Sequence, residues 1–246
     1  MRFFIELSYQ GVNYHGWQEQ PNANTVQSEI NKALSTVFQE KILVMGAGRT
    51  DSGVHAKQMF AHFDYNVDFD IKNIIFKLNN FLPYDIVIND IFMVNDDANC
   101  RFDANSRTYK YHIIQQKDAF NKRAYLFKKK LDLNSMNLAA NYILGKQDFT
   151  SFSKVNTQTF TNNCNIMFAN WKKVDNELIF TIKSNRFLRN MVRAIVGTLL
   201  DVGIGKNKPS MIRKIIAAKD RSKSGASVPA HALFLYKIEY PENIKI

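Results

Sequence analysis

Apolar and polar residues follow two spacings along this chain, and the two spacings predict different elements. Alternating positions, or short continuous apolar runs, indicate strands, and apolar residues three or four apart indicate helices. Strands are predicted at residues 2–9, 42–45, 58–65, 85–93, 107–115, 166–174, 177–183 and 233–240. Helices are predicted at 26–37, with Asn24 as the cap, and at 71–81, 135–144, 187–202 and 209–218.

Strands and helices interleave in both halves of the chain, which is typical of the α+β class. Two similar halves indicate a pseudo-twofold pair of ferredoxin-like (RRM-like) units with mixed or antiparallel sheets. We expect residues 1–100 to form one unit and residues 101–246 the other, with a central cleft between them. Sequence identity between the halves is too low to indicate a repeat.

Charge is distributed unevenly between these halves. The net charge is +11, yet residues 1–100 hold 7 Lys and Arg against 12 Asp and Glu, while residues 101–246 hold 26 against 10. Basic runs occur at 122–123 and 128–130. Such a distribution fits a polyanion bound to the second half, because Lys and Arg contacts to phosphates dominate nucleic-acid affinity. A solvated surface that only keeps the protein soluble is the alternative.

Several classes of protein are disfavoured by the sequence. No secretory signal and no apolar run of membrane-spanning length is apparent, so we expect a cytoplasmic protein that binds no membrane. Cys100 and Cys164 have no framework spacing, which fits free thiols in a reducing compartment. The five histidines and two cysteines show no metal-binding spacing, and no phosphate-binding glycine loop is present. We therefore expect no metal and no cofactor.

The stretch 48–56, Gly-Arg-Thr-Asp-Ser-Gly-Val-His-Ala, is the first candidate for chemistry. It follows a predicted strand, and its glycines allow a tight loop that presents Asp51. Arg49 beside Asp51 favours the ionised carboxylate, which could act as a nucleophile. The alternative is an Asp that only hydrogen-bonds its own turn.

A second candidate lies on the predicted strand 107–115. Arg107, Tyr109 and Tyr111 alternate there, so all three project from one face. A face that combines aromatic and basic side chains can stack an unpaired base and hold its phosphate. Two core tyrosines beside a surface arginine are the alternative.

The predicted helix 187–202 is the third candidate. It pairs a wide apolar face with Arg186, Arg189 and Arg193, spaced so that they fall on one side. A solvated helix face explains the same pattern without any function.

These three stretches together resemble the TruA family of tRNA pseudouridine synthases. The first resembles the family's GRTDAGVHA with Ser52 for alanine, residues 101–111 resemble R-x-x-A-x-x-R-x-Y-x-Y, and residues 187–197 resemble FLxxMVRxIVG. The resemblance implies that Asp51 is the nucleophile and that Arg193 pairs with it. It also implies that Tyr109 packs on the target uracil and that Arg49 fills the space the nucleotide leaves.

Other stretches match the family in the same order along nearly the whole chain. Residues 9–18 resemble its opening motif, with Gln10 where an Asp is usual, and Leu82-Pro83 also matches. Residues 145–152 resemble GxHDFxxF with Gln147 for the histidine, and residues 228–235 resemble APAxGLxL with Ala232 for a glycine. Residues 98–100, Ala-Asn-Cys, replace the usual Phe-His-Ala. Leu235 either lines the uracil pocket or is a plain core residue.

The function that the resemblance implies is isomerisation of uridine to pseudouridine in the anticodon stem-loop of tRNA, at positions 38–40, by a homodimer. Substrate and product are isomers, so no cofactor is needed, and the target nucleotide must leave its stack first. One alternative is a catalytically impaired relative that binds or folds tRNA. Others are a hydrolase using Asp51, which lacks an evident second carboxylate, and a DNA-binding protein, which lacks a helix-turn-helix signal.

Overall fold

Strands and helices alternate along residues 1–154 and 159–246, which are the residues described by the computed structural model. The strands are β1 Arg2–Tyr9, β2 Met45–Gly46, β3 His55–Asp64, β4 Ile86–Val94, β5 Ser106–Ile114, β6 Tyr125–Leu126, β7 Gly145–Asp148, β8 Asn163–Val174, β9 Glu177–Ser184 and β10 Leu233–Glu239. The helices are α1 Val26–Phe38, α2 Ile71–Phe81, α3 Leu133–Asn141, α4 Met191–Gly203 and α5 Met211–Ala218. Short 3-10 turns connect several of them.

The first of two units comprises residues 1–105 and 234–246. Its strands lie in the order β4-β1-β3-β10, with β1 antiparallel to both β3 and β4, and β10 parallel to β3. The two-residue β2 pairs with β3. Phe4, Phe60 and Tyr240 pack their rings together, with centroids 5.1 and 5.5 Å from that of Tyr240. Burial of Phe4 and Phe60 contributes to the core of the unit.

Residues 106–233 form the second unit. Its strands lie in the order β5-β9-β8-β7, with every neighbouring pair antiparallel, and β6 adds to β5 in parallel. Helix α3 packs on β8 and on α4. Trp171 and Phe180, both buried, pack their rings at an interplanar angle of 30°, with centroids 5.0 Å apart, in the core of this unit.

The α+β class is confirmed by these elements and by the mainly antiparallel pairing. A pseudo-twofold relation between ferredoxin-like halves, and the cleft between them, stay predictions. The predicted units were residues 1–100 and 101–246. The observed units differ from them chiefly at the end of the chain, because residues 234–246 belong to the first unit. Hydrogen bonds along a sheet join strands distant in sequence, so a linear division does not foresee this placement.

Helix α1 begins at Val26 as predicted, and only the residue that caps it differs. Thr25, not Asn24, is the N-cap: its side chain accepts from Ser28 N, and the Ser28 hydroxyl accepts from Thr25 N. This reciprocal capping box satisfies two backbone donors at once. In α2 the predicted bounds are confirmed, with Asp70 as the N-cap.

The predicted strand at 42–45 was wrong for all but its last residue. Ile42 N donates to Ser35 Oγ and Val44 N donates to Asn31 Oδ1, so side chains of α1 satisfy this backbone. Leu43 is 59% exposed, so the run is not continuously buried. An apolar run of this length does not reveal which partner its backbone groups will find.

The predicted helix at 187–202 was wrong in its first turn. Helix α4 begins at Met191, directly after Asn190, whose φ of +65° is left-handed. Arg186 and Arg189 therefore do not share a helix face with Arg193. Asparagine tolerates the left-handed region better than most residues, which permits the break.

Candidate active site

The glycine-rich loop that carries Asp51 lies between β2 and β3 of the first unit. Asp51 is half-buried, Thr50 is buried and Arg49 is exposed. Val54 N donates to Asp51 O at 3.1 Å, closing a turn in which Gly53 has a φ of +80°. A positive φ favours glycine, since it has no Cβ to clash. Asp51 thus stands in a tight turn just before a strand.

The segment that follows β1 supports this loop. Tyr9 Oη and Thr50 Oγ1 share a hydrogen bond of 2.8 Å, and Trp17 N donates to Thr50 O at 3.2 Å. Gly16 has a φ of +94°, and a Cβ there would lie 2.6 Å from Thr50 O. The two backbones therefore approach as closely as glycine permits.

Tyr14 holds the residues that follow Asp51. Its carbonyl oxygen accepts from Ser52 Oγ at 3.2 Å and from Gly53 N at 3.4 Å, while its hydroxyl donates to Asp85 Oδ1 at 2.5 Å. Burial, together with the hydrogen bond to Asp85, raises the pKa of the Tyr14 phenol above its ordinary value. The phenol is therefore a neutral donor at physiological pH.

His55 and Leu235 lie where the loop enters the sheet. Gly11 N donates to His55 Nδ1 at 3.3 Å, and the imidazole stacks on Phe234 with centroids 4.5 Å apart. In the parallel register Phe234 lies opposite His55 and Leu235 opposite Ala56. Leu235 is buried, with 2% of its surface exposed.

Tyr109 and Arg107 lie on β5 of the second unit, and both are half-buried. The Tyr109 ring meets Phe187 edge-on, with centroids 5.1 Å apart and an interplanar angle of 87°. Arg107 Nη1 donates to Asn185 O at 2.9 Å. The aromatic contact favours one orientation of the tyrosine ring.

Tyr111, two residues further along β5, is fully buried. Its hydroxyl donates to Pro229 O at 2.9 Å, and burial raises the pKa of the phenol above its ordinary value. The interpretation of Tyr111 as a core tyrosine is therefore confirmed. The predicted base-stacking face is reduced to Arg107 and Tyr109.

Arg193 lies in the first turn of α4 and is half-buried. Its Nε donates to Val228 O at 2.7 Å, and Val228 N donates to Arg193 O at 3.3 Å. The loop that contains Val228 thus holds both the backbone and the guanidinium of Arg193. Because the guanidinium is planar, a fixed Nε also restricts the directions of its two other nitrogens.

This supporting loop is itself held by several contacts. Arg221 Nη2 donates to Ser227 Oγ at 2.9 Å, and Asn190 Nδ2 donates to the same oxygen at 2.6 Å. A Cβ on Gly197 would lie 1.8 Å from Ala226 O, so the loop crosses α4 at a position where only glycine fits. No sequence pattern predicted this role for Arg221.

The six predicted site residues are divided between the two units. Arg49, Asp51 and Leu235 belong to the first unit, and Arg107, Tyr109 and Arg193 belong to the second. Sequence patterns missed Tyr14 and Asp85 as supports of the Asp51 loop. The only signal for them was their place in or beside stretches that match the family.

Among residues 1–154 and 159–246, no three His, Cys, Asp or Glu residues are grouped so that they could hold a metal ion. Of the helices in these same ranges, none combines the length and apolar character that crossing a membrane requires.

Comparison with known proteins finds close relatives. The family model described as tRNA pseudouridine synthase matches residues 7–103 and 139–241. The tRNA pseudouridine synthase A of Bacteroides thetaiotaomicron is 50% identical over 247 residues, covering 99% of this chain and 92% of the relative. Those of Parabacteroides distasonis and Thermosipho melanesiensis are 49% and 43% identical, covering 99% and 96% of this chain and 97% and 98% of the relatives.

Proposed function

The chain belongs to the tRNA pseudouridine synthase family, whose enzymes are isomerases that convert uridine to pseudouridine, and we propose that it acts on the anticodon stem-loop at positions 38–40. The observation that carries the proposal is the Asp51 loop. It presents one half-buried carboxylate in a tight turn that Thr50, Ser52 and Gly53 tie to residues 9–17. Such a fixed carboxylate meets the first need of a nucleophilic mechanism.

In the proposed reaction Asp51 attacks the extruded nucleotide as a carboxylate, at either the ribose or the base. The N-glycosidic bond breaks, the uracil turns, and its C5 bonds to the ribose while Asp51 is released. C5 loses its proton and N1 gains one, so the atoms balance without any external reagent. No cofactor is therefore required.

Tyr109 and Arg107 are proposed to bind the nucleotide. The half-buried ring of Tyr109, oriented by Phe187, packs on the uracil, and its hydroxyl helps to move the C5 proton. Arg107, two residues away on the same face of β5, contacts the phosphate.

Arg193 is proposed as the partner of Asp51. The support is its match to the family's arginine, together with the hydrogen bond from its Nε to Val228 O. A guanidinium beside a carboxylate fixes the orientation of the acid, often through two parallel hydrogen bonds. Arg193 would in this way hold the Asp51 carboxylate in position for attack.

Arg49 and Leu235 are proposed to assist in two ways. Arg49 is exposed and lies two residues before Asp51, so its side chain can enter the space that the extruded nucleotide leaves. Leu235 lies on the strand beside β3 and is proposed to line the uracil pocket with its apolar side chain.

The proposed partner is tRNA, gripped by phosphate contacts from the basic second half of the chain. We further propose a cytoplasmic homodimer in which one tRNA spans both subunits. The resemblance to the family is the support for both statements.

A tRNA-binding protein without catalysis is the second candidate. It rests on the departures at Gln10, residues 98–100, Gln147 and Ala232. Gln147 Nε2 donates to Tyr142 O and Leu144 O, so this substitution has a local structural role. Near 50% identity to relatives named as synthases favours the enzyme.

The test is to map pseudouridine in unmodified tRNA after incubation with wild type, Asp51→Asn and the exposed control Asp68→Asn. Carbodiimide treatment followed by primer extension locates each product base. We expect stops at positions 38–40 with wild type and control but none with Asp51→Asn. Affinity for tRNA should stay within about threefold, because phosphate contacts dominate binding.

Three results would contradict the proposal. Product formed by Asp51→Asn would exclude Asp51 as the nucleophile. Bound but unmodified tRNA in all samples would favour the second candidate. Release of free uracil would indicate a hydrolase instead.

A further inference from the structure

Asp85 lies between α2 and β4, and it holds the segment that supports the Asp51 loop. Both of its carboxylate oxygens are engaged: Oδ1 accepts from the Tyr14 hydroxyl at 2.5 Å and Oδ2 from Asn13 Nδ2 at 2.8 Å. Its carbonyl oxygen also accepts from Gln10 N at 2.9 Å. One residue thus fixes three points of a short turn, and charge-assisted bonds of this kind are stronger than neutral ones.

Tyr14 continues the chain of contacts to the loop. While its hydroxyl is held by Asp85, its carbonyl oxygen accepts from the two residues that directly follow Asp51. One of these is Ser52, which stands where the family motif has alanine and whose hydroxyl donates to Tyr14 O. Three residues therefore connect Asp85 to the proposed nucleophile.

We propose that Asp85 and Tyr14 are positioning residues that set the orientation of Asp51. The proposal rests on the proposed function, because it assigns them a role only if Asp51 is the nucleophile. Neither residue is proposed to touch the reacting atoms. They act because a carboxylate displaced by about 1 Å from its attack geometry can lose about two orders of magnitude in rate.

The variants Tyr14→Phe and Asp85→Asn test the proposal. Tyr14→Phe keeps the buried ring and removes only the hydroxyl, so the fold has the best chance of surviving. Asp90→Asn is the matched control, because its carboxylate, on β4 of the same unit, bonds Lys245 rather than the loop. Thermal unfolding of each variant shows whether it folds.

We expect the single-turnover rate at saturating tRNA to fall about 10- to 100-fold in both variants, with tRNA affinity within about twofold of wild type. The double variant should lose no more than the stronger single variant, because both act through one path. Asp90→Asn should keep the wild-type rate. A purely structural role would instead lower stability and tRNA affinity together.

Amide hydrogen exchange at Ser52 and Gly53 separates this inference from the proposed function. We expect faster exchange there in Tyr14→Phe and Asp85→Asn but not in Asp90→Asn. Hydrogen exchange can be measured whether or not the enzyme is active. Unchanged rates and unchanged exchange in an active enzyme would overturn the positioning role alone. An inactive wild type would overturn the proposed function, and faster exchange would still support the contact path to the loop.

Discussion

At the scale of single residues, burial separates side chains that look equivalent in the sequence. Tyr109 and Tyr111 lie two apart on one face of β5, yet Tyr111 is fully buried and bonded to Pro229 O, while Tyr109 is half-buried against Phe187. Alternation places both on one face but does not show where the covering elements end. Only Tyr109 retains surface for a ligand.

Replacing Tyr109 by Phe should therefore separate its two proposed roles. The ring and its contact with Phe187 remain, so tRNA affinity should stay within about twofold. Loss of the hydroxyl should slow isomerisation by about 100-fold, which is the usual scale of a lost proton-transfer group. Single-turnover kinetics at saturating tRNA, beside a binding isotherm, measure the two effects.

The matched control is Tyr111→Phe. It removes a buried hydroxyl and leaves Pro229 O without its donor, so the free energy of unfolding should fall by about 1–3 kcal/mol. Its reaction rate should stay well above that of Tyr109→Phe. An unchanged rate in Tyr109→Phe would show that the ring, and not the hydroxyl, is what the reaction uses.

At the scale of elements, periodicity predicted which helices and strands exist better than it predicted the residues at which they begin and end. Helix α2 has its predicted bounds, and Asp70 is the N-cap with which it begins. Helix α4 starts four residues later than predicted, since Asn190 adopts a left-handed conformation that apolar spacing does not reveal. As a result, Arg186 and Arg189 precede the helix and do not share a helix face with Arg193, the proposed partner of Asp51.

A substitution at Gly197 tests whether the close contact between α4 and the loop that bonds Arg193 supports the site. Its Cβ would lie 1.8 Å from Ala226 O, which is a backbone atom, so Gly197→Ala must displace the loop that bonds Arg193. We expect a loss of about 1–3 kcal/mol in the free energy of unfolding, measured by urea denaturation. The isomerisation rate should fall as well.

Gly48→Ala is the control for stability, because a Cβ there meets nothing within 4 Å. Its free energy of unfolding should change by less than about 0.5 kcal/mol. Equal stability of the two variants would show that the loop accommodates a methyl group, and the close approach would then not explain the glycine.

At the scale of the whole molecule, the distribution of charge bears on which part of the chain binds a polyanion. The excess of Lys and Arg lies in residues 101–246, while 1–100 is net acidic. In the second unit, the run 128–130 holds three exposed lysines. A polyanion would contact such residues through its phosphates, and each such contact makes binding depend on salt.

Replacing Lys128, Lys129 and Lys130 together by alanine should weaken tRNA binding and flatten its salt dependence. If each contacts one phosphate, the slope of log affinity against log salt should fall by about 2–3. The control removes three exposed lysines from the first unit: Lys41, Lys72 and Lys77. Equal slopes for the two triple variants would show that the charge asymmetry does not mark the RNA-binding surface.

The sequence by itself determined the α+β class, most elements and the membership of the family. Those properties follow from local periodicity and from continuous motifs, which involve residues close in sequence and do not depend on tertiary contacts. It did not show that Ser35 and Asn31 bind the backbone at Ile42 and Val44, because such bonds join residues brought together only by packing.

Tertiary structure alone decided how the reactive loop is held. Tyr14 and Asp85 lie 71 positions apart, yet their hydrogen bond supports the turn at Asp51. The last strand likewise returns to the first unit, beside β3, at a distance of almost 180 residues along the chain. Contacts of this kind depend on sheet register and on close backbone approach, and no single stretch of the sequence determines either of them.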